Sequence, residues 1–140
     1  MKIRRETDYA IRAVRALVNA NGNAMLSKEV AEAEDIPQTY ILTIMCKLKN
    51  AKMVKTVHRH GDRRGGYVLS GDIHKLTLYD IVFAFEGEMM INTCLRDQDT
   101  CPDRDTCTIR QEMQRINDAL IADMKTHTLA EILAESKASK

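Results

Sequence analysis

The sequence predicts a mostly α-helical fold with one small β wing, arranged as a compact basic first half and an acidic second half that ends in a long helix. Three observations carry that expectation: helical apolar spacing broken once by a proline between residues 28 and 50, a β-prone run split by a turn rich in glycine and arginine at 53–69, and a return to helical spacing after residue 77. At 140 residues the chain fits one domain, or a small module with an attached helical segment, and can bury a real core.

From Tyr9 to Ala20, residues Ala10, Ala13, Val14, Leu17 and Val18 recur at helical spacing while Arg12, Arg15 and Asn19 fall on other faces; Asn21-Gly22-Asn23 ends this first helix. Ser27 is expected to cap a second helix, Lys28 to Ala33, which Pro37 breaks by removing a donor and restricting the residue before it. A third helix follows at once, Gln38 to Asn50. Helix, tight turn and helix in about twenty residues is the helix-turn-helix plan. On the third helix Ile41, Ile44, Met45 and Leu48 share the inner face, leaving Thr39, Leu42, Thr43, Cys46 and Lys47 toward a groove.

The β-prone runs Met53–His58 and Tyr67–Leu69 form a hairpin whose connection, residues 59–66, carries Arg59, Arg63 and Arg64 for phosphates or a minor groove, with glycines that permit close backbone approach. Residues 1–75 therefore read as a winged helix-turn-helix. In residues 76–140, Thr77 opens a helix through Phe85 with a capping box and Gly87 closes it. A cysteine loop occupies about 89–107. Thr108 opens the next helix with another capping box, and Met113, Ile116, Leu120 and Met124 form an apolar stripe through about Lys125. Thr128 starts a short terminal helix with Ile132 and Leu133, and Ser136 to Lys140 is expected to fray. A stripe on a late helix of a small domain commonly packs against its twin, and a homodimer would set two reading helices one DNA turn apart.

Charge supports the same division. Residues 1–70 hold thirteen lysines and arginines against seven acids, net +6; residues 71–140 hold eight against thirteen, net −5. A basic first half suits a polyanionic partner, double-stranded DNA, and the acidic half should stay off it. The charged N-terminus is no secretory signal and no stretch reaches the roughly 20 apolar residues of a membrane span, so a cytoplasmic protein without a membrane partner is expected. No nucleophile signature and no phosphate loop precede a helix, which argues against an enzyme.

Cys94, Cys101 and Cys107 lie in a polar, turn-rich segment with few core residues. Thiols in a reducing compartment are better read as soft metal ligands than as a disulfide framework. Three thiolates suit an iron–sulfur cluster, [2Fe–2S] or [4Fe–4S]; the absence of paired C-x-x-C knuckles places zinc below it, and redox-active thiols remain a further alternative. A fourth position falls to Asp8, Glu6 or a histidine. Asp8 can equally serve as a carboxylate at the positive end of the first helix. Cys46 is assigned to packing or to filling the groove face.

The chain resembles the Rrf family of bacterial transcription regulators, which includes the IscR-, NsrR- and RirA-like iron–sulfur sensors. The resemblance runs from Met1 to about Leu133 and rests on Thr7-Asp8-Tyr9-Ala10-Ile11-Arg12-Ala13, Ile36-Pro37-Gln38-Thr39-Tyr40-Ile41, Arg64-Gly65-Gly66-Tyr67, Ile73 through Glu86-Gly87, and the three cysteines. It implies a winged helix-turn-helix with a long C-terminal dimerisation helix, and a cluster between the cysteine loop and the partner's DNA-binding half. The IscR-like branch carries a ligand histidine three residues after the third cysteine, where this chain has Arg110; Asp8 stands where NsrR-like members present an aspartate from the partner subunit. The resulting expectation is a homodimeric regulator with Thr39, Tyr40, Thr43, Lys47, Arg59, Arg63 and Arg64 at the DNA, and with its affinity controlled by a cluster sensing nitric oxide, oxygen or redox state, or iron. The rivals are a regulator of the same fold that works through redox thiols, a metabolite or a protein partner, and a zinc-stabilised adaptor that does not bind DNA.

Overall fold

The computed structural model describes residues 2–95 and 101–138. The expected loop positions 96–100 and the tail residues 139–140 lie outside the described residues. Among the described residues, six α-helices, two strands and one 3₁₀ turn follow in the order α1 (Arg5–Asn19), α2 (Ser27–Glu34), α3 (Gln38–Asn50), β1 (Val54–Val57), β2 (Gly66–Leu69), α4 (Leu78–Glu86), the 3₁₀ turn Thr93–Leu95, α5 (Thr108–Met124) and α6 (Leu129–Ala138). This is the mostly helical fold with a small β wing that the sequence predicts.

The core lies under α1, α2 and α3. Ala10, Ala13, Val14 and Leu17 of α1 meet Val30 and Ala31 of α2 and Ile41, Ile44, Met45 and Leu48 of α3, and Val54, Ile81, Phe85 and Leu129 close the cluster. The alanines matter as much as the branched residues: side chains this small let three helices approach each other in a dense interior. α4 packs on α1 and α3, and α6 is docked by Leu129 N–H donating to Leu76 O at 2.8 Å and Ala130 N–H to Ile73 O at 3.0 Å.

Several boundaries differ from expectation, that of α1 for a tertiary reason. α1 starts at Arg5, a full turn before Tyr9, because Thr7 is buried and donates its hydroxyl to Glu86, 79 residues away, at 2.8 Å. Ser27 is the first residue of α2 rather than its cap; Leu26 takes the cap position, and its N–H is satisfied by Glu29 Oε1 at 2.9 Å. The break before α3 is made by Asp35, left-handed at φ 53°, with Ile36 N–H returning to Ala31 O at 2.8 Å; Pro37 then stands at the cap position of α3. Thr77 does open α4, receiving its partner in Asp80, whose Oδ2 accepts the Thr77 N–H at 2.8 Å. α6 runs through Ala138, so residues 136–138 are helical where fraying was expected.

The wing is a two-stranded antiparallel ladder from Val54 opposite Leu69 to Val57 opposite Gly66. Met25 adds a rung on the other edge of β2, exchanging both main-chain bonds with Tyr67 at 3.0 and 2.7 Å. That rung explains Gly66: its φ is +141°, and a Cβ there would lie 2.6 Å from Met25 O. A Cβ on Gly65 would stand 2.9 Å from Arg59 N. The close approach expected of these glycines is therefore to the protein's own backbone. At the tip, His60 and Arg63 exchange both main-chain bonds at 3.0 Å around Gly61 at φ +60°, a turn whose twist matches that of the strands.

Candidate metal centre and nucleic-acid interface

α5 begins at the third cysteine. Cys107, not Thr108, is its cap, and Cys107 Sγ accepts the Arg110 N–H at 3.4 Å. The sulfur thus stands at the positive end of the helix, where an anionic ligand atom is favoured. The same residue reaches the first cysteine: Arg110 Nε–H donates to Cys94 O at 2.9 Å. Cys94 lies in the 3₁₀ turn, which Leu95 anchors in the interior and which packs against α5. Arg110 therefore ties Cys94 and Cys107 to one frame. Cys101 is exposed at the start of a series of turns that returns the chain to Cys107, with Cys107 N–H donating to Asp103 O at 2.8 Å.

The loop is held at its other end by Asn117, the one buried side chain of α5. Its Nδ2–H donates to Met89 O at 2.8 Å and its Oδ1 accepts Ile91 N–H at 3.0 Å. The helical stripe of Met113, Leu120 and Met124 has Asn117 at its centre, and a single amide in an apolar stripe was the sequence signal for this anchor. All four cysteines are free. Among the described residues no three Cys, His, Asp or Glu side chains are gathered as a metal site. The donor set nevertheless suits a soft metal or cluster: three thiols in a polar segment, two on a shared frame, without a disulfide to compete. Asp8 sits in the first turn of α1, its Oδ2 paired to Arg12 at 2.8 Å, and Arg12 lies 5.5 Å over the Tyr9 ring.

α4 joins this segment to the helix-turn-helix through Glu86. Its carboxylate accepts from Arg4 N–H at 2.8 Å, from Arg4 Nε–H at 2.9 Å and from the Thr7 hydroxyl, while Arg4 also donates to Phe85 O. Burial alone would push the Glu86 carboxyl up, but these donors together hold it below the usual carboxylate range.

On the candidate nucleic-acid face, Thr39, Tyr40 and Thr43 are exposed on α3, and Cys46 is exposed beside them. Tyr40 is packed edge-on against Tyr9 with ring centroids 5.4 Å apart. Lys47 is turned elsewhere: its Nζ meets Glu6 Oε1 at 2.7 Å and lies 5.6 Å from the Phe85 ring. Arg59 and Arg63 are exposed on the wing and form no ion pair among the described residues. Arg64 instead binds Glu29 Oε1 at 2.6 Å, bracing the wing on α2. The Glu29 carboxyl lies below its ordinary range, chiefly because it accepts the Leu26 N–H and then because of Arg64. The Arg64–Glu29 pair is exposed and weak, so Arg64 can exchange partners at little cost, whereas Glu6 Oε1 is buried and releasing Lys47 would leave it unpaired.

No helix among the described residues is long and apolar enough to cross a membrane. Residues 3–135 match the Rrf2 family, described as an iron-dependent transcriptional regulator. The HTH-type transcriptional repressor NsrR of Streptomyces coelicolor is 26% identical over 136 residues, 96% of this chain and 89% of that protein. The crystal structure of a transcriptional regulator from Listeria innocua superposes with a TM-score of 0.76 at 26% identity, covering 97% of this chain and 88% of that one. The structure of CymR, the global cysteine regulator of Bacillus subtilis, gives 0.75 at 24% identity, covering 96% and 98%.

Proposed function

Because the chain belongs to the Rrf2 family of transcriptional regulators, we propose that it acts in the cytoplasm as a homodimer on a partly palindromic double-stranded operator, and that an iron–sulfur cluster on Cys94, Cys101 and Cys107 sets its affinity for that operator. The observation that carries the reading is Arg110, whose main chain and side chain hold Cys107 and Cys94 on one frame at the start of α5. A cluster held there supplies reactivity toward nitric oxide, oxygen or the iron supply. The partner subunit's Asp8 is the fourth ligand proposed, and in this chain any such role competes with the Asp8–Arg12 ion pair.

Dimerisation rests on α5, where Ile116 and Leu120 remain 42% and 37% exposed in the single chain; a second copy covers them. Thr39, Tyr40 and Thr43 face the major groove, and Arg59 and Arg63 take phosphates from the wing. Arg64 joins them by leaving Glu29, whereas Lys47 stays on the buried Glu6 oxygen. The latch of Arg4 and Thr7 on Glu86 then links a change in the cysteine segment to α1, and through α1 to α3.

The test is anaerobic purification of the wild type and of Cys101→Ala, with absorption spectra and analysis for iron, sulfide and zinc. A brown wild-type protein containing iron and sulfide, with colour lost in the variant, is the expected result. Colourless protein with stoichiometric zinc would overturn the cluster. A second reading is favoured by the free thiols and the shared frame of Cys94 and Cys107: the cysteines themselves respond to oxidants, and a colourless, metal-free protein whose DNA binding is lost reversibly on oxidation would select it.

A further inference from the structure

We infer that α3 reads thymine methyl groups in the major groove, with Leu42 as the specificity-determining contact. The inference rests on the DNA-binding reading above. On α3 the inner face is filled by Ile41, Ile44, Met45 and Leu48, none more than 1% exposed, so the fold asks nothing further of this helix. Leu42 points away from that face and is 64% exposed. Single exposed leucines are common on protein surfaces, and exposure alone would carry no weight. The surroundings of this one do.

The outward stripe of α3, at helical spacing, is Thr39, Leu42, Thr43, Cys46 and Asn50. It carries no charge. Of the cations on its flanks, Lys47 is held by Glu6 at 2.7 Å, and Lys49 leans toward the wing, its Nζ 3.4 Å from the Thr56 hydroxyl. Guanine in the major groove is read above all by bidentate arginine or lysine, and this stripe offers neither. It offers hydroxyls that pair with any base, an amide in Asn50 suited to adenine, and apolar surface from Leu42, Cys46 and the threonine methyls. Thymine alone presents a methyl group in that groove. A leucine can neither donate nor accept a hydrogen bond, so it discriminates only by covering such a methyl and excluding water from it.

The experiment starts from duplexes selected by the full-length wild-type protein out of a random library. The recovered duplexes are remade with deoxyuridine in place of thymidine, which deletes the methyl and keeps the pairing edge. Wild-type affinity should fall by about fourfold for each methyl that Leu42 covers, the worth of one buried carbon, and by about fifteenfold over two half-sites. Leu42→Ala should bind the thymine duplex about as weakly as the wild type binds the uracil duplex, and should differ less than about twofold between the two, with an unchanged melting temperature. A wild type indifferent to uracil, or a Leu42→Ala protein that keeps the whole uracil penalty, would overturn the inference while leaving DNA binding intact. Failure to retain any duplex would overturn the DNA-binding reading, and this inference with it.

Discussion

α3 is thirteen residues long and buries four large apolar side chains almost completely; α5 is seventeen residues long and its one buried side chain is an asparagine. Both helices carry an apolar stripe in the sequence, but only that of α3 is used up within the chain. The contrast separates two kinds of helix. α3 is held by a core of the first half that Ile81, Phe85 and Leu129 of the second half close, whereas α5 is positioned by polar ties, Asn117 to Met89 and Ile91 and Arg110 to Cys94, and leaves Ile116 and Leu120 exposed. A response that shifts α5 need not disturb the reading head's core.

Substitutions in the two stripes should therefore fail in different ways. Leu48→Ala, in the interior of α3, removes a fully buried side chain from a dense cluster and should cost about 2–5 kcal/mol, lowering the urea midpoint of the whole protein. The double change Ile116→Asp and Leu120→Asp on α5 should leave the folding of the first half intact, halve the mass measured by sedimentation, and weaken operator binding by roughly a hundredfold, about 3 kcal/mol. If that pair unfolds the chain instead, the stripe belongs to an intramolecular core.

The joint between the regions gives the smallest and most specific effect. Because the Glu86 carboxyl lies lower in the folded chain than in the unfolded one, its contribution is present above the ordinary carboxylate range and is lost as pH falls through the folded value. Glu86→Gln should cost about 1 kcal/mol at neutral pH and flatten the loss of stability on acidification, read from urea midpoints between about pH 6 and pH 3. An unchanged acid slope would mean that the Glu86 carboxylate does not brace α4 against α1.

Local pattern made much of the fold legible. The inner face of α3, the wing, and the Thr77 opening of α4 follow from residues within one turn or one hairpin of each other. The boundary errors fall where a side chain takes an end group of a helix, from 79 residues away in α1 and from three residues away in α2 and α5. The first turn of α1 depends on Glu86, the start of α2 on Glu29, and the cap of α5 falls to Cys107 because its sulfur takes the Arg110 N–H. Lys47 and Arg64, assigned to DNA by their helix face and wing position, are drawn to Glu6 and Glu29, contacts between residues 41 and 35 positions apart. Arg110 stood out in the sequence only as the residue where a histidine was expected; its hold on Cys94 spans sixteen residues and has no sequence period to reveal it.

By itself the sequence determined which segments are helices and strands, which faces turn inward, and that three thiols sit in a segment with little other chemistry, because periodicity and composition act over a few residues. Only the tertiary structure decided which cations are engaged, that Gly66 serves Met25, that Asn117 and Arg110 hold the cysteine segment, and that α5 keeps Ile116 and Leu120 exposed. Those are matters of which groups meet across the fold, and a buried hydrogen bond or an ion pair depends on proximity that spacing along the chain does not encode.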